Sequence, residues 1–161
     1  MGMIIREMRA DDHDDIHETL TACGVFNEEE IRVALVMAAA ADEYALFCAE
    51  IDRRVRGYVC IGRTPLTLST WYLYWTCVHP QVQGTGVASA LHGHLEQFIR
   101  AHGGERIVVE TSSRAEYARA HRFYANAGYQ PAGRIEHFFK QGDHCVILCK
   151  PLTQHLPSSS T

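Results

Sequence analysis

At 161 residues the chain is long enough for one domain with a proper core and short for two. Hydrophobic residues at 47% and charged residues at 21% exclude a disordered chain, and no apolar run reaches the length that crosses a membrane. The net charge of −4, without a lysine or arginine cluster, speaks against a nucleic-acid partner and suits a cationic one.

In chain order, residues 3–8 read as a first strand. The acidic stretch 11–15 then opens a helix whose dipole favours acids in its first turn, with an acceptor-facing acidic rim as the other reading. Gly24 ends that helix. Asn27 with Glu30 three residues on resembles a capping pair for a second helix running to about residue 41. Residues 44–51 and 55–63 form two strand-like runs joined around Asp52 and Arg53, as an antiparallel hairpin requires. A loop containing Pro65 leads to the aromatic strand 71–78.

From 85 to 102, Val87, Leu91, Leu95, Phe98 and Ile99 recur at helical spacing, and Gly103 and Gly104 stop the helix. Residues 106–111 form a short strand whose apolar centre predicts cover on both faces. A helix over 115–127 follows, ended by Gly128, then a hairpin from 129–139 and 144–148 turning at 141–143. A domain over 3–151 with a mobile tail over 152–161 results.

Cys23, Cys48, Cys60, Cys77, Cys145 and Cys149 fall mostly in apolar runs without a C-x-x-C pair, so they read as buried free thiols. A reducing compartment and the absence of a basic-then-apolar leader make the cytoplasm the expected location. Among the histidines, His92 with His94 and His137 with His144 are the pairs to consider for a metal. Two residues apart on a helix, His92 and His94 point in different directions, and no metal is expected.

The chemistry concentrates where the aromatic strand runs into Gln83-Gly84-Thr85-Gly86-Val87-Ala88. A helix start leaves N–H groups without partners and carries partial positive charge, while glycines let a bulky diphosphate approach several N–H donors. Gln83 adds an amide donor. Packing alone is the competing reading of the two glycines. No Gly-Lys-Ser/Thr follows, which excludes a P-loop, and Ser89 stands where a dinucleotide fingerprint needs its third glycine.

The pattern Q/R-x-x-G-x-G/A that remains resembles the pyrophosphate motif of the GNAT superfamily of acyl-coenzyme A-dependent N-acyltransferases. Residues 120–129, with Ala120, Phe123, Tyr124, Gly128 and Tyr129, resemble its later A-x-x-F-Y-x-x-x-G-F/Y motif. Together with the opening strand, the resemblance covers about residues 3–151.

It implies an α/β (α+β) fold with a mixed, mostly antiparallel twisted sheet of about seven strands, helices on both faces and two splayed central strands. Acetyl-coenzyme A would be the co-substrate. Its pantetheine would meet main-chain groups of Cys77 and Val78, and its diphosphate the N–H groups of Gln83, Gly84, Thr85, Gly86, Val87 and Ala88. A backbone N–H near Val78 would face the developing oxyanion. Tyr124, which also borders the coenzyme, would be the general acid for the departing thiolate; core packing is the competing role for that ring. Glu110 is the best-placed carboxylate for a base, with Tyr72 and Tyr74 as alternatives acting through water. Tyr117 stands where the family often has an asparagine that touches the coenzyme.

The implied activity is acetyl transfer to a primary amine, of a small molecule or a peptide, in a ternary complex. A non-catalytic acyl-coenzyme A binding or sensing module on the same fold is the alternative. No nucleic acid and no membrane enter as partners, and the late strands are where a homodimer would form.

Overall fold

A computed structural model of the protein describes residues 2–40 and 42–152; the expected mobile tail lies outside the described residues from 153 onward. Seven strands make one sheet: β1 (Met3–Glu7), β2 (Ala45–Ile51), β3 (Arg54–Arg63), β4 (Thr70–Val78), β5 (Arg106–Ser112), β6 (Gln130–Lys140) and β7 (Asp143–Pro151). Their order is β1-β2-β3-β4-β5-β7-β6, and β4–β5 is the parallel pair in an otherwise antiparallel ladder. The helices are α1 (His13–Cys23), α2 (Glu28–Ala39), α3 (Val87–Ala101) and α4 (Ala118–Asn126). No described helix is long and apolar enough to cross a membrane.

Local chemistry accounts for the first half. The Asn27 side chain accepts from Glu30 N–H at 2.9 Å and the Glu30 carboxylate accepts from Asn27 N–H at 2.8 Å, so α2 starts in the expected capping box. The β2–β3 turn places Asp52 at φ 51° and Arg53 at φ 64°, the pair of positive angles that suits the twist of a two-residue hairpin.

Part of the acidic stretch that opens α1 is spent internally. Asp12 takes the Arg6 guanidinium at 2.7 and 2.8 Å, and Asp15 accepts from Arg54 Nε at 2.7 Å and from Val55 N–H at 2.8 Å. Glu18 holds Arg56 at 2.9 Å. These acids tie α1 to the sheet, while Asp11 and Asp14 stay exposed.

Two cores flank the sheet. On one face Ile16, Leu20, Ala34, Leu46, Tyr58, Cys60 and Cys77 pack under α1 and α2. On the other, Phe47, Trp71, Leu73, Leu91, Leu95, Ile99 and Ile107 pack under α3 and α4. A bulge in β4 decides which side chains reach which face: Cys60 pairs with Trp75 and Ile61 with Leu73, so Tyr74 is skipped. Before the bulge Trp71 and Leu73 face α3; after it Cys77 joins the α1–α2 core, and Thr76 turns towards α3.

β5 corrects one expectation. Ile107 and Val109 are buried under α3, but Val108 is only half-buried and Glu110 is exposed. That face is less covered around Val108 and Glu110, and α1 packs mainly over β3 and β4.

Candidate active site

The pairing of β4 with β5 stops early. Thr70, Trp71, Tyr72 and Leu73 partner Arg106, Ile107, Val108 and Val109, after which β4 continues along β3 and β5 along β7. The two strands therefore separate, leaving a seam between residues 74–78 and 110–112. Tyr124, on α4, is buried with its hydroxyl at Thr76, whose Oγ1 lies 3.3 Å from His92 Nε2. Burial pushes the Tyr124 phenol above its ordinary value, partly offset by the Thr76 hydrogen bond, so it stays protonated at neutral pH. Burial, aided by the Lys150 charge, pushes His92 down to about 3 and keeps it neutral. Its Nδ1 has no partner among the described residues.

At the mouth of the seam, a 3-10 turn over Pro80–Val82 leads into the glycines and then α3. Gly84 at φ +75° and Gly86 at φ +91° occupy the left-handed region, and a Cβ built on either would meet nothing within 4 Å. Packing therefore does not require these glycines; the backbone path does. The N–H groups of 84–88 find no acceptor among the described residues. They cluster at the positive end of a 15-residue helix above open space, an arrangement that receives an anion.

Two expected contact points are already engaged. Gln83 N–H bonds Pro80 O at 3.3 Å, and the Gln83 side chain, expected to be a free donor, gives its Nε2–H to Val78 O at 3.0 Å. Its Oε1 accepts from Arg119 at 2.6 Å, making Gln83 a strut from the end of β4 to α4. The Val78 carbonyl also accepts from Cys23 Sγ at 3.3 Å. Arg119 is a residue the sequence reading missed. An arginine in the first turn of a helix opposes the dipole, and that was the available signal for an anion nearby.

Glu110 stands on the opposite face of the sheet from Tyr124. Burial first, then the adjacent Glu110 carboxylate, hold the Tyr72 phenol far above its ordinary value. Tyr72 stacks at 4.8 Å on Tyr74, which meets Tyr44 edge-on at 5.2 Å. The seam thus has a buried phenol on one face and, on the other, an exposed carboxylate beside the half-buried Tyr72 and the exposed Tyr74.

A family model described as the acetyltransferase (GNAT) family matches residues 8–129. The chain belongs to the GNAT acetyltransferase family. The crystal structure of a putative GNAT acetyltransferase from Desulfovibrio desulfuricans is 30% identical at a TM-score of 0.90, covering 94% of this chain and 100% of that one. The fold alone is shared with the ribosomal-protein-S18-alanine N-acetyltransferase of Escherichia coli, 17% identical at TM-score 0.78 with 99% and 100% covered. It is shared too with the PaiA N-acetyltransferase of Thermoplasma acidophilum in complex with coenzyme A, 15% identical at TM-score 0.73 with 94% and 99% covered. No curated protein matches the sequence.

Two other places in this GNAT chain could draw a ligand. Glu136, His137 and His144 gather at the β6–β7 tip with their ligand atoms within 4.8 Å of one another. There His144 Nδ1 accepts from His137 N–H and His137 Nδ1 from Gly142 N–H, both at 2.9 Å, so these two ring nitrogens are building the turn and a metal would have to use Nε2. A cavity of about 450 Å³ lies at the β1–β2 edge, lined by Arg9, His13, Tyr44, Phe47 and Phe98, away from Tyr124 and the glycine turn.

Proposed function

We propose that this GNAT protein is an N-acetyltransferase that moves the acetyl group of acetyl-coenzyme A directly to a primary amine. The observation that carries the reading is the row of N–H groups over 84–88 left without acceptors above an open glycine turn, leading into a seam that ends at a protonated tyrosine. The diphosphate would rest on the amides of Gly84, Thr85, Gly86, Val87 and Ala88, with Arg119 beside them. The thioester would lie in the seam along Cys77 and Val78. A residue whose hydrogen bonds strengthen only as charge develops lowers the barrier, and a backbone N–H near Val78 takes that part.

Tyr124 gives its proton to the departing sulfur. A thiol's ordinary pKa of roughly 8.5 makes its thiolate a tolerable leaving group, so a phenol suffices. On the other face Glu110 receives the ammonium proton, with Tyr72 or Tyr74 relaying it. The amine's proton and the leaving sulfur are then served from opposite sides of the sheet while both substrates are bound together. A homodimer would use β6, the edge strand, on which Ile135, Phe138 and Phe139 are all exposed.

Incubating the protein with acetyl-coenzyme A and a pooled set of small and peptide amines, read by mass spectrometry, tests the reading; products carrying one acetyl group are expected. Tyr124→Phe lowers kcat by about 10²–10⁴-fold while coenzyme affinity stays within a few-fold. Coenzyme binding without product across the pool would instead identify an acyl-coenzyme A sensor.

A further inference from the structure

Cys23 is the last residue of α1, and Cys77 lies in β4 beside the seam. Their Sγ atoms are 2.8 Å apart. We propose that Cys23 and Cys77 are a modification site, a dithiol that closes to a reversible disulfide between α1 and the seam wall. The proposal is independent of what the seam binds.

The geometry is unusual among the six thiols. Gly24, at φ +70°, turns the chain sharply after Cys23 and leaves its side chain lodged against β4. Cys23 Sγ–H donates to Val78 O at 3.3 Å, and Cys77 Sγ, 3.7 Å from Thr19 O, can instead turn its one proton to a Cys23 thiolate. A disulfide needs sulfurs about 2.05 Å apart, so closure asks for roughly 0.8 Å of approach. Cys48 and Cys60, by contrast, are fully buried, and burial pushes both thiols up to about 12.

The two thiols also divide the labour. Cys23 is half-buried, and the hydrogen bond from Cys77 is the largest cause drawing its pKa down, while Cys77 is buried and pushed well up. Cys23 therefore supplies the thiolate and Cys77 the resolving thiol. With hydrogen peroxide as oxidant, the Cys23 thiolate attacks one peroxide oxygen, forming an S–O bond as the O–O bond breaks and the other oxygen leaves as water. The Cys77 sulfur then attacks Cys23, the new S–S bond forms, and the second oxygen leaves as water with the remaining thiol proton. Two thiols lose two electrons and the peroxide is reduced to two waters. An added dithiol reverses the bridge by exchange.

Closure removes the Cys23 S–H donor from Val78 O, leaving Gln83 Nε2 on that carbonyl, and covalently staples the end of α1 to β4. It also cross-links residues 54 positions apart, which constrains the unfolded chain.

The test is intact-mass and peptide analysis of the folded, full-length protein after hydrogen peroxide, with free thiols alkylated before digestion. Expected are the loss of two hydrogens, a linked peptide joining Cys23 to Cys77, reversal by dithiothreitol, and a Tm raised by roughly 5–15 °C in the oxidised form. Full alkylation of Cys23 after peroxide, overoxidation of Cys23 without a bridge, or a bridge between other cysteines overturns the proposal. Cys23→Ser, with Cys23→Ala as a second variant, should abolish both the mass change and the peroxide dependence of Tm. A variant that still loses two hydrogens also overturns it. The wild-type peptide map decides the matter even where neither variant folds.

Discussion

Gly84 and Gly103 share the same backbone angle, φ +75°, and at both a Cβ would meet no heavy atom within 4 Å. They differ in place, since one lies at the N-terminal turn of α3 and the other just past its C-terminal end. Replacing either by alanine forces an L-residue into the left-handed region at a cost of about 1–2 kcal/mol, which should lower Tm by roughly 2–8 °C in both variants. Only at Gly84 does the added methyl enter the space that a diphosphate would fill, and only there does relaxation of the loop turn the 84–88 amides away. Isothermal calorimetry with coenzyme A should therefore show at least a tenfold weaker Kd for Gly84→Ala, about 1.4 kcal/mol, and no change for Gly103→Ala. The matched pair separates backbone strain from ligand approach. Equal Tm losses with unchanged Kd in both variants would refute a diphosphate over this turn.

His92 binds no proton in the folded state until pH falls to about 3, whereas the unfolded chain takes one up near 6.5, so stability falls as pH drops below 6.5. Urea unfolding at pH 7 and pH 5 should show a loss of about 2 kcal/mol from this group, absent in His92→Leu; equal losses in both proteins would remove the assignment. Asp12, its carboxyl held below the ordinary range chiefly by the Arg6 hydrogen bonds, contributes stability above its unfolded pKa that disappears as pH falls through the folded one. Asp12→Asn should therefore cost about 2 kcal/mol at pH 7 by the same assay, and the gap to wild type should close in strong acid.

The elements that rest on neighbouring residues were legible in advance. The Asn27–Glu30 capping box, the Asp52–Arg53 hairpin and the glycine entry to α3 each need only local spacing, and the structure has them where the spacing put them. What escaped depends on residues far apart in the chain. The apolar run Ile107-Val108-Val109 looks two-sided in a string of letters, but whether a helix covers the second face is set by where α1 ends. The Tyr74 bulge changes the parity of β4 and so decides that Thr76 meets Tyr124, which no alternation rule reveals. Gln83 has the right chemistry for a phosphate donor, yet Val78 O and Arg119 claim its amide through contacts that only the folded chain creates. The approach of Cys23 to Cys77 is of the same kind.

The four-rung junction between β4 and β5 makes the sheet two panels, one of β1 to β4 and one of β5 to β7, sewn together along a short stitch. Past that stitch the two panels no longer pair with each other, and side chains stand in for part of the missing ladder: Gln83 and Cys23 hold Val78 O, and His121 Nε2 lies 2.8 Å from Ser112 O. An extended molecule with its own amide groups, seated in the slit, would add a partial surrogate strand to the edge groups that remain free.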